Sequence, residues 1–184
     1  MVPLTDHSRF SSRFALPLAW DLLDGPPAPQ HRAAADQANA SVLAFLLQGV
    51  DIDAGPRPAD EELAEALAPL RIKLDMIIDL LARLSYRDVA LPPRREVALT
   101  ASRIAWGSPL PLRAGDWLRI ALHFHQTFRE PIILFAKVAS ATAGGPGADI
   151  WIEADLAEMP EPVYSDLARL TFLFQRRQRA QRGS

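Results

Sequence analysis

The residues between positions 63 and 84 contain an apolar repeat with alternating spacings of four and three. Its members are Leu63, Leu67, Leu70, Leu74, Ile77, Leu81 and Leu84. A repeat of about 3.5 residues keeps these side chains along one seam of a helix, and such seams are typical of helices that wind around copies of themselves. The sequence therefore predicts a helix through which the chain self-associates.

The composition of the seam favours an assembly of more than two chains. Leucine occupies the positions at which β-branched residues would favour dimers, and no polar residue interrupts the seam to enforce a pair. Ile78 and Leu80 lie beside the seam and widen the apolar stripe, so each helix has surface for more than one neighbour. Ile78 is therefore included among the predicted oligomerisation residues.

Two alternatives remain open for this helix. Pro69 lies inside the repeat, and a proline in a helix interior costs about 3 kcal/mol. The helix is therefore expected either to kink at Pro69 or to begin near it, which would restrict the coil to residues 70–84. The stripe could also be the core face of a helix that packs on its own domain, in which case the protein would be a monomer.

Charge and cysteine content restrict the possible partners. The net charge is -2 and the pI about 6.1, so the chain has no general positive surface for a nucleic-acid polymer or an anionic membrane. The absence of cysteine excludes disulfides, thiolate metal sites and cysteine catalysis. No apolar run reaches the ~18 residues of a membrane span, and Asp6, Asp21 and Asp24 interrupt the region of a signal peptide. We expect a cytoplasmic protein without membrane insertion.

The spacing of apolar residues changes along the chain from a helical to a strand period. Residues 30–48 predict a helix that Gly49 ends, whereas the apolar run 14–23 has no clear period. Beyond residue 92, apolar residues alternate in short runs, and residues 161–178 predict an amphipathic C-terminal helix.

The predicted fold class is α+β, a small antiparallel β-barrel with a C-terminal helix and an N-terminal helical oligomerisation region. The predicted divisions are an N-terminal segment and helix at 1–58, the self-association helix at 59–90, and the barrel with its C-terminal helix at 91–184.

The residues that carry chemistry in enzymes form no recognisable set. His123 and His125 would face the same side of a strand and could begin a metal site, but no third ligand is apparent. No serine or carboxylate pair stands in a recognisable nucleophile and base setting. We therefore expect no catalytic residue, no bound metal and no cofactor, and hence no enzyme.

The C-terminal arginines form the one basic cluster of the sequence. They are Arg176, Arg177, Arg179 and Arg182. Cations near a helix C-terminus oppose the helix dipole, which is a sufficient reason for their position. The alternative is that the tail contacts an anionic ligand or partner.

The passage from Arg94 to Trp106, followed by Pro109-Leu110 and by residues 115–120, resembles the PilZ domain. The resemblance is to the atypical branch of that family that forms tetramers, because a leucine-rich helix stands immediately before these segments. It extends over about residues 60–180. PilZ domains are antiparallel β-barrels that bind cyclic di-GMP. The resemblance therefore implies a homotetramer with a role in bacterial second-messenger signalling.

The ligand motif of that family is only partly present. Typical members have an Arg-x-x-x-Arg segment before the first barrel strand and an Asp/Asn-x-Ser-x-x-Gly segment on a strand. Arg94 and Arg95 stand in the right neighbourhood, but no second arginine follows at the required spacing. On the strand, Ala98, Thr100 and Arg103 replace the acid, the serine and the glycine. The resemblance gives Arg94, Arg95, Thr100 and Arg103 as candidate ligand-binding residues.

Arg9 and Arg13 do have the Arg-x-x-x-Arg spacing. Two predicted helices separate them from the candidate strand. The match is therefore interpreted as a coincidence, unless an N-terminal arm folds back.

Two functions fit these observations. A non-enzymatic signalling adaptor would present several barrels to a protein partner and would need no ligand. A genuine cyclic di-GMP receptor would use Arg94 and Arg95 in a rearranged pocket, because guanidinium groups match both phosphate oxygens and the acceptor edge of guanine.

Overall fold

A computed structural model describes residues 13–53, 61–85, 90–125, 128–143 and 149–182. The strands in these ranges are β1 (Arg13–Leu23), β2 (Arg94–Leu99), β3 (Arg103–Ser108), β4 (Trp117–Leu122), β5 (Ile132–Thr142) and β6 (Ile150–Leu156). The helices are α1 (Pro29–Asp53), α2 (Glu61–Ser85) and α3 (Glu161–Arg182). The element order confirms the predicted combination of helices with a sheet.

The strands form one closed barrel in the order β1-β2-β3-β6-β5-β4. Every neighbouring pair is antiparallel. The first half of β1, Arg13–Pro17, pairs with β2, and its second half, Leu18–Leu23, pairs with β4. Strand β1 thus joins β2 to β4 and closes the sheet into a barrel.

The barrel therefore begins near residue 13, whereas the predicted division assigned it to residues 91–184. The side chains of Phe14, Leu16 and Leu18 point into the barrel and are buried. Ala15 and Ala19 alternate with them on the outer face and are small and apolar, so the strand lacks the polar alternation that identifies a half-buried strand in a sequence. Its β2 partner also lies some 80 positions further along the chain, which no local pattern reveals.

Helix α1 covers the outer face of β5 and also packs on α3. The side chain of Asn39, which is 2 % exposed, donates to the Ile133 carbonyl at 2.8 Å and accepts from the Ile133 N–H at 2.8 Å. Ile133 lies beyond the point where β6 stops pairing with β5, so Asn39 satisfies a strand edge that would otherwise be unpaired. The prediction that Gly49 ends α1 is wrong, since the helix continues to Asp53.

Helix α3 closes one end of the barrel. Its buried side chains include Val163, Leu167 and Leu170. The ring of Phe174 meets the edges of Phe14 and Phe124, at centroid distances of 6.3 and 5.1 Å. The helix begins at Glu161 as predicted and continues past Gln178 to Arg182.

Helix α2 runs from Glu61 to Ser85 and passes through Pro69, so it does not begin at that proline. None of its described side chains belongs to the hydrophobic core. The alternative in which its apolar stripe is a core face packed on the barrel of its own chain is therefore wrong. The Leu63 side chain lies outside the described residues.

Candidate functional site

The structure divides the four candidate ligand residues into two groups. Arg94 and Arg95 begin β2, whereas Thr100 and Arg103 form the turn between β2 and β3. At about 3.3 Å per residue, the six steps along the chain from Arg94 to Thr100 span roughly 20 Å. The four residues therefore do not surround a common pocket.

Thr100 and Arg103 stabilise their own turn. The Thr100 hydroxyl accepts hydrogen bonds from the N–H groups of Ser102 and Arg103, at 3.3 and 3.0 Å. The Arg103 guanidinium donates through Nε to Asp155 Oδ1 on β6 at 2.7 Å. Both side chains thus have partners that explain their presence without a ligand.

Arg94 links β2 to β1. Its Nη2 donates to the Ala15 carbonyl at 2.6 Å. The side chain lies on the barrel surface and is exposed.

Arg95 lies at the barrel end opposite α3, which we call the tryptophan end because Trp20 and Trp106 meet there with ring centroids 5.7 Å apart. The Arg95 guanidinium stacks over the Trp20 ring at 4.9 Å. Its Nη1 donates to the Gly107 carbonyl at 3.3 Å and lies 3.6 Å from Asp149 Oδ2. The Arg95 side chain is 17 % exposed, so it is largely withdrawn from water although it carries a charge.

Gly107 makes room for the Asp149 carboxylate. A Cβ atom on Gly107 would lie 3.0 Å from Asp149 Oδ2 and 3.1 Å from Asp149 Cβ, which is closer than side chains tolerate without a shift. The glycine on β3 thus permits the approach of Asp149 toward Arg95.

Three buried N–H donors have no hydrogen-bond partner within the described ranges. They are Arg95 Nε, Trp106 Nε1 and Trp151 Nε1. Trp106 adjoins Gly107 in β3, Trp151 lies opposite Gly107 on β6, and Arg95 bonds to the Gly107 carbonyl. Buried donors without acceptors are rare because each costs about 1–3 kcal/mol. Strand alternation places Trp106 on the inner face of the barrel and Trp151 on the outer face, where Arg13 stacks over it. The three donors therefore lie near one end of the barrel but do not face a common point, and only Arg95 Nε belongs to the side chain that contacts Asp149.

Arg13 is a residue that the sequence interpretation set aside. It begins β1 and lies opposite Ala98 of β2, and its guanidinium contacts Glu96 at 3.2 Å and stacks over Trp151 at 4.7 Å. Arg13 thus stands at the start of the first barrel strand, where typical PilZ members have their Arg-x-x-x-Arg segment, while Arg9 lies outside the described residues. The spacing was visible in the sequence, but the pairing of β1 with β2 was not.

The two histidines at the end of β4 are held by their own loop. His123 Nδ1 lies 2.8 Å from the Arg129 carbonyl, and His125 Nδ1 accepts from the Phe128 N–H at 3.0 Å. Burial lowers the pKa of His123. Among the described residues, no group of three His, Cys, Asp or Glu side chains is placed to hold a metal ion.

Helix α2 presents the other candidate surface. The described seam side chains are Leu67, Leu70, Leu74, Ile77, Leu81 and Leu84, and their exposed fractions lie between 49 and 73 %. Ile78, beside the seam, is 40 % exposed. A continuous exposed apolar surface of this kind is typical of interaction sites. None of the described helices is long and apolar enough to cross a membrane.

The fold and these surfaces define a class of protein: a closed six-stranded antiparallel barrel that is covered at one end by a helix and carries an amphipathic helix with an exposed apolar stripe. The chain is similar to a pathogenic protein from Xanthomonas campestris, described as a tetrameric PilZ domain that self-assembles through a helical bundle. The TM-score is 0.70 at 22 % sequence identity, over 92 % of this chain and 89 % of that one. This chain therefore has the fold of a PilZ domain, which confirms the resemblance to the tetramer-forming branch at the level of fold.

The other comparisons add less. The Bacillus subtilis inhibitor of motility matches with a TM-score of 0.35 at 15 % identity, over 47 % of this chain and 42 % of that one. No protein-family model and no curated protein sequence matches the chain significantly.

Proposed function

We propose that this protein assembles through α2 into a homotetramer and acts as a non-enzymatic adaptor of cyclic di-GMP signalling in the bacterial cytoplasm. The observation that carries the proposal is the exposed apolar stripe of α2, which contributes nothing to the core of its own chain. The Xanthomonas campestris protein, with the same fold, self-assembles through a helical bundle. A parallel bundle of α2 helices would cover the stripe in each copy.

Burial of the α2 seam provides a free energy of the size that assembly requires. Full burial of a leucine or isoleucine side chain stabilises by about 1.5–3 kcal/mol. Since the seam side chains are each roughly half exposed in a single chain, covering them contributes about 1 kcal/mol per residue, or about 24 kcal/mol for six residues in each of four chains. The three association steps that form a tetramer together cost about 12–45 kcal/mol in lost freedom.

Assembly would give the barrels a function without a ligand. Four barrels on one bundle would let weak contacts with a protein partner reinforce each other, because the first contact raises the effective concentration for the second. The barrel surface around Arg13, Arg95 and Arg103 has its charges compensated by Glu96, Asp149 and Asp155. Such a mixed surface suits a protein partner better than a polyanion.

Sedimentation equilibrium tests the assembly directly. The expected result is a single species with the mass of four 20.3-kDa chains at micromolar concentration. A species of 20.3 kDa under these conditions would overturn the proposal.

The second candidate is a cyclic di-GMP receptor. It is favoured by the position of Arg13 at the start of β1, beside the strand that carries Arg94 and Arg95. Calorimetric titration of the wild type and of Arg94→Ala with cyclic di-GMP tests it. Binding that Arg94→Ala abolishes supports the receptor. No heat and no thermal shift of the wild type at high micromolar ligand would exclude the receptor and leave the adaptor function.

A further inference from the structure

We propose that Arg95 is a phosphate-binding subsite at the tryptophan end and that Asp149 occupies it as a built-in competitor. In the free protein the Asp149 carboxylate takes the place that a phosphate oxygen of a ligand would take. This inference deepens the receptor candidate and rests on it.

The first step is the poor quality of the Arg95–Asp149 contact. The two charged groups are 3.6 Å apart, which is too long for a hydrogen bond, and the Asp149 side chain is 52 % exposed. By comparison, Arg103 meets Asp155 at 2.7 Å. An exposed ion pair without a hydrogen bond stabilises a fold by little. Asp149 can therefore leave Arg95 at small cost to the fold.

The second step is the fixed position of Arg95. Its guanidinium is held by the Trp20 ring and by the Gly107 carbonyl, and neither contact involves Asp149. A guanidinium that is stacked and largely buried keeps its orientation when its carboxylate partner departs. Arginine in such a setting suits phosphate because its planar donors match two phosphate oxygens at once.

The third step is the unsatisfied donor of Arg95 itself. Arg95 Nε is buried without an acceptor in the described part of the chain. Asp149 does not satisfy it, although the Asp149 carboxylate lies 3.6 Å from Arg95 Nη1. A phosphate group has several strong acceptor oxygens and can accept from two guanidinium N–H groups at once, so it fits Arg95 better than the Asp149 carboxylate does.

The consequence is that charge on Asp149 opposes ligand binding. A phosphate at Arg95 would lie within a few ångströms of the Asp149 carboxylate unless that side chain moved away. A like charge within ~4–6 Å disfavours the bound anion. Because Asp149 is half exposed and its ion pair is weak, the opposition is limited to what it costs to displace Asp149, so replacing Asp149 by the neutral asparagine should raise phosphate affinity about threefold.

The experiment is a calorimetric titration of the full-length protein with inorganic pyrophosphate and, separately, with cyclic di-GMP. The variants are Asp149→Asn and Asp149→Asn combined with Arg95→Ala. We expect the single variant to bind pyrophosphate about three times more tightly than the wild type, and the double variant to lose that gain. Equal affinity of Asp149→Asn and the wild type, including no binding by either, would overturn the proposal.

Two further variants keep the test specific. Asp21→Asn removes the same charge from a different ion pair, with Arg119 at 3.4 Å, and should leave pyrophosphate binding unchanged. Gly107→Ala keeps every charge but brings a Cβ to 3.0 Å from Asp149 Oδ2, so Asp149 must shift slightly; this variant should raise affinity in the same direction as Asp149→Asn but by less. An equal gain in Asp21→Asn would show that net charge alone is responsible and would refute the subsite.

The two ligands separate this inference from the receptor candidate. A gain in pyrophosphate affinity without cyclic di-GMP binding by any variant supports the subsite for other phosphate compounds and counts against the dinucleotide receptor. Wild-type binding of cyclic di-GMP that Asp149→Asn does not change supports the receptor and refutes the competitor role of Asp149.

Discussion

Truncation of one seam residue of α2 should weaken the assembly in every copy at once. Leu74 is 50 % exposed in the single chain and lies in the middle of the described seam. Leu74→Ala removes buried methyl groups and leaves a cavity in the bundle, which costs about 2 kcal/mol for each copy. Alanine is the strongest helix former, so the helix itself does not lose stability.

Four copies of the substitution destabilise a tetramer by about 8 kcal/mol. The midpoint concentration of a monomer–tetramer equilibrium varies with the cube root of its dissociation constant. Since ~1.4 kcal/mol corresponds to a factor of ten, the midpoint should rise about a hundredfold. Sedimentation equilibrium over a range of protein concentrations measures this shift.

Ile72→Ala provides the matched control. Ile72 is 60 % exposed but precedes Leu74 by two positions, and at 3.6 residues per turn it lies on the opposite side of the helix. Its truncation should leave the midpoint within about threefold of the wild type. Equal shifts in the two variants, or no shift in Leu74→Ala, would refute the assignment of the seam as the contact surface.

Two further predictions concern the barrel. Asn39→Ala leaves the N–H and carbonyl of Ile133 without their partner, so urea unfolding should show a loss of about 2–4 kcal/mol; a loss below ~0.5 kcal/mol would contradict the role of Asn39 at the strand edge. Burial lowers the pKa of His123 below its ordinary value of 6.5, so the unfolded chain takes up a proton at a higher pH than the folded one, and stability falls as the pH drops below about 6.5. His123→Gln should reduce the difference in unfolding free energy between urea titrations at pH 7.5 and 5.5, which bracket roughly that pKa. An unchanged difference would contradict the assignment of the pH dependence to His123.

The helices and most barrel strands could be predicted because their signals are local. The 3.5-residue repeat of α2 and the alternation of β4, β5 and β6 depend on neighbours a few residues apart. Strand β1 could not be predicted because its central residues on the outer face are Ala15, the buried Pro17 and Ala19, and polar side chains occur there only at Arg13 and Asp21. Its identity as a strand depends on β2 and β4.

Less of the candidate site than of the fold could be predicted from the sequence. Arg94, Arg95, Thr100 and Arg103 are close in sequence, but an extended strand separates them into two groups. Proximity in sequence therefore suggested a pocket that the strand geometry does not allow.

The sequence by itself determined that α2 is a helix with one apolar seam and that the second half of the chain alternates as an antiparallel sheet. Only the tertiary structure decided that α2 leaves this seam exposed, and that Asp149 reaches Arg95 across Gly107. The physical reason is the distance along the chain over which each property is determined. Periodicity is fixed by steric rules within a few residues, whereas burial and ion pairing depend on groups from distant parts of the chain, and their positions follow only once the barrel has closed.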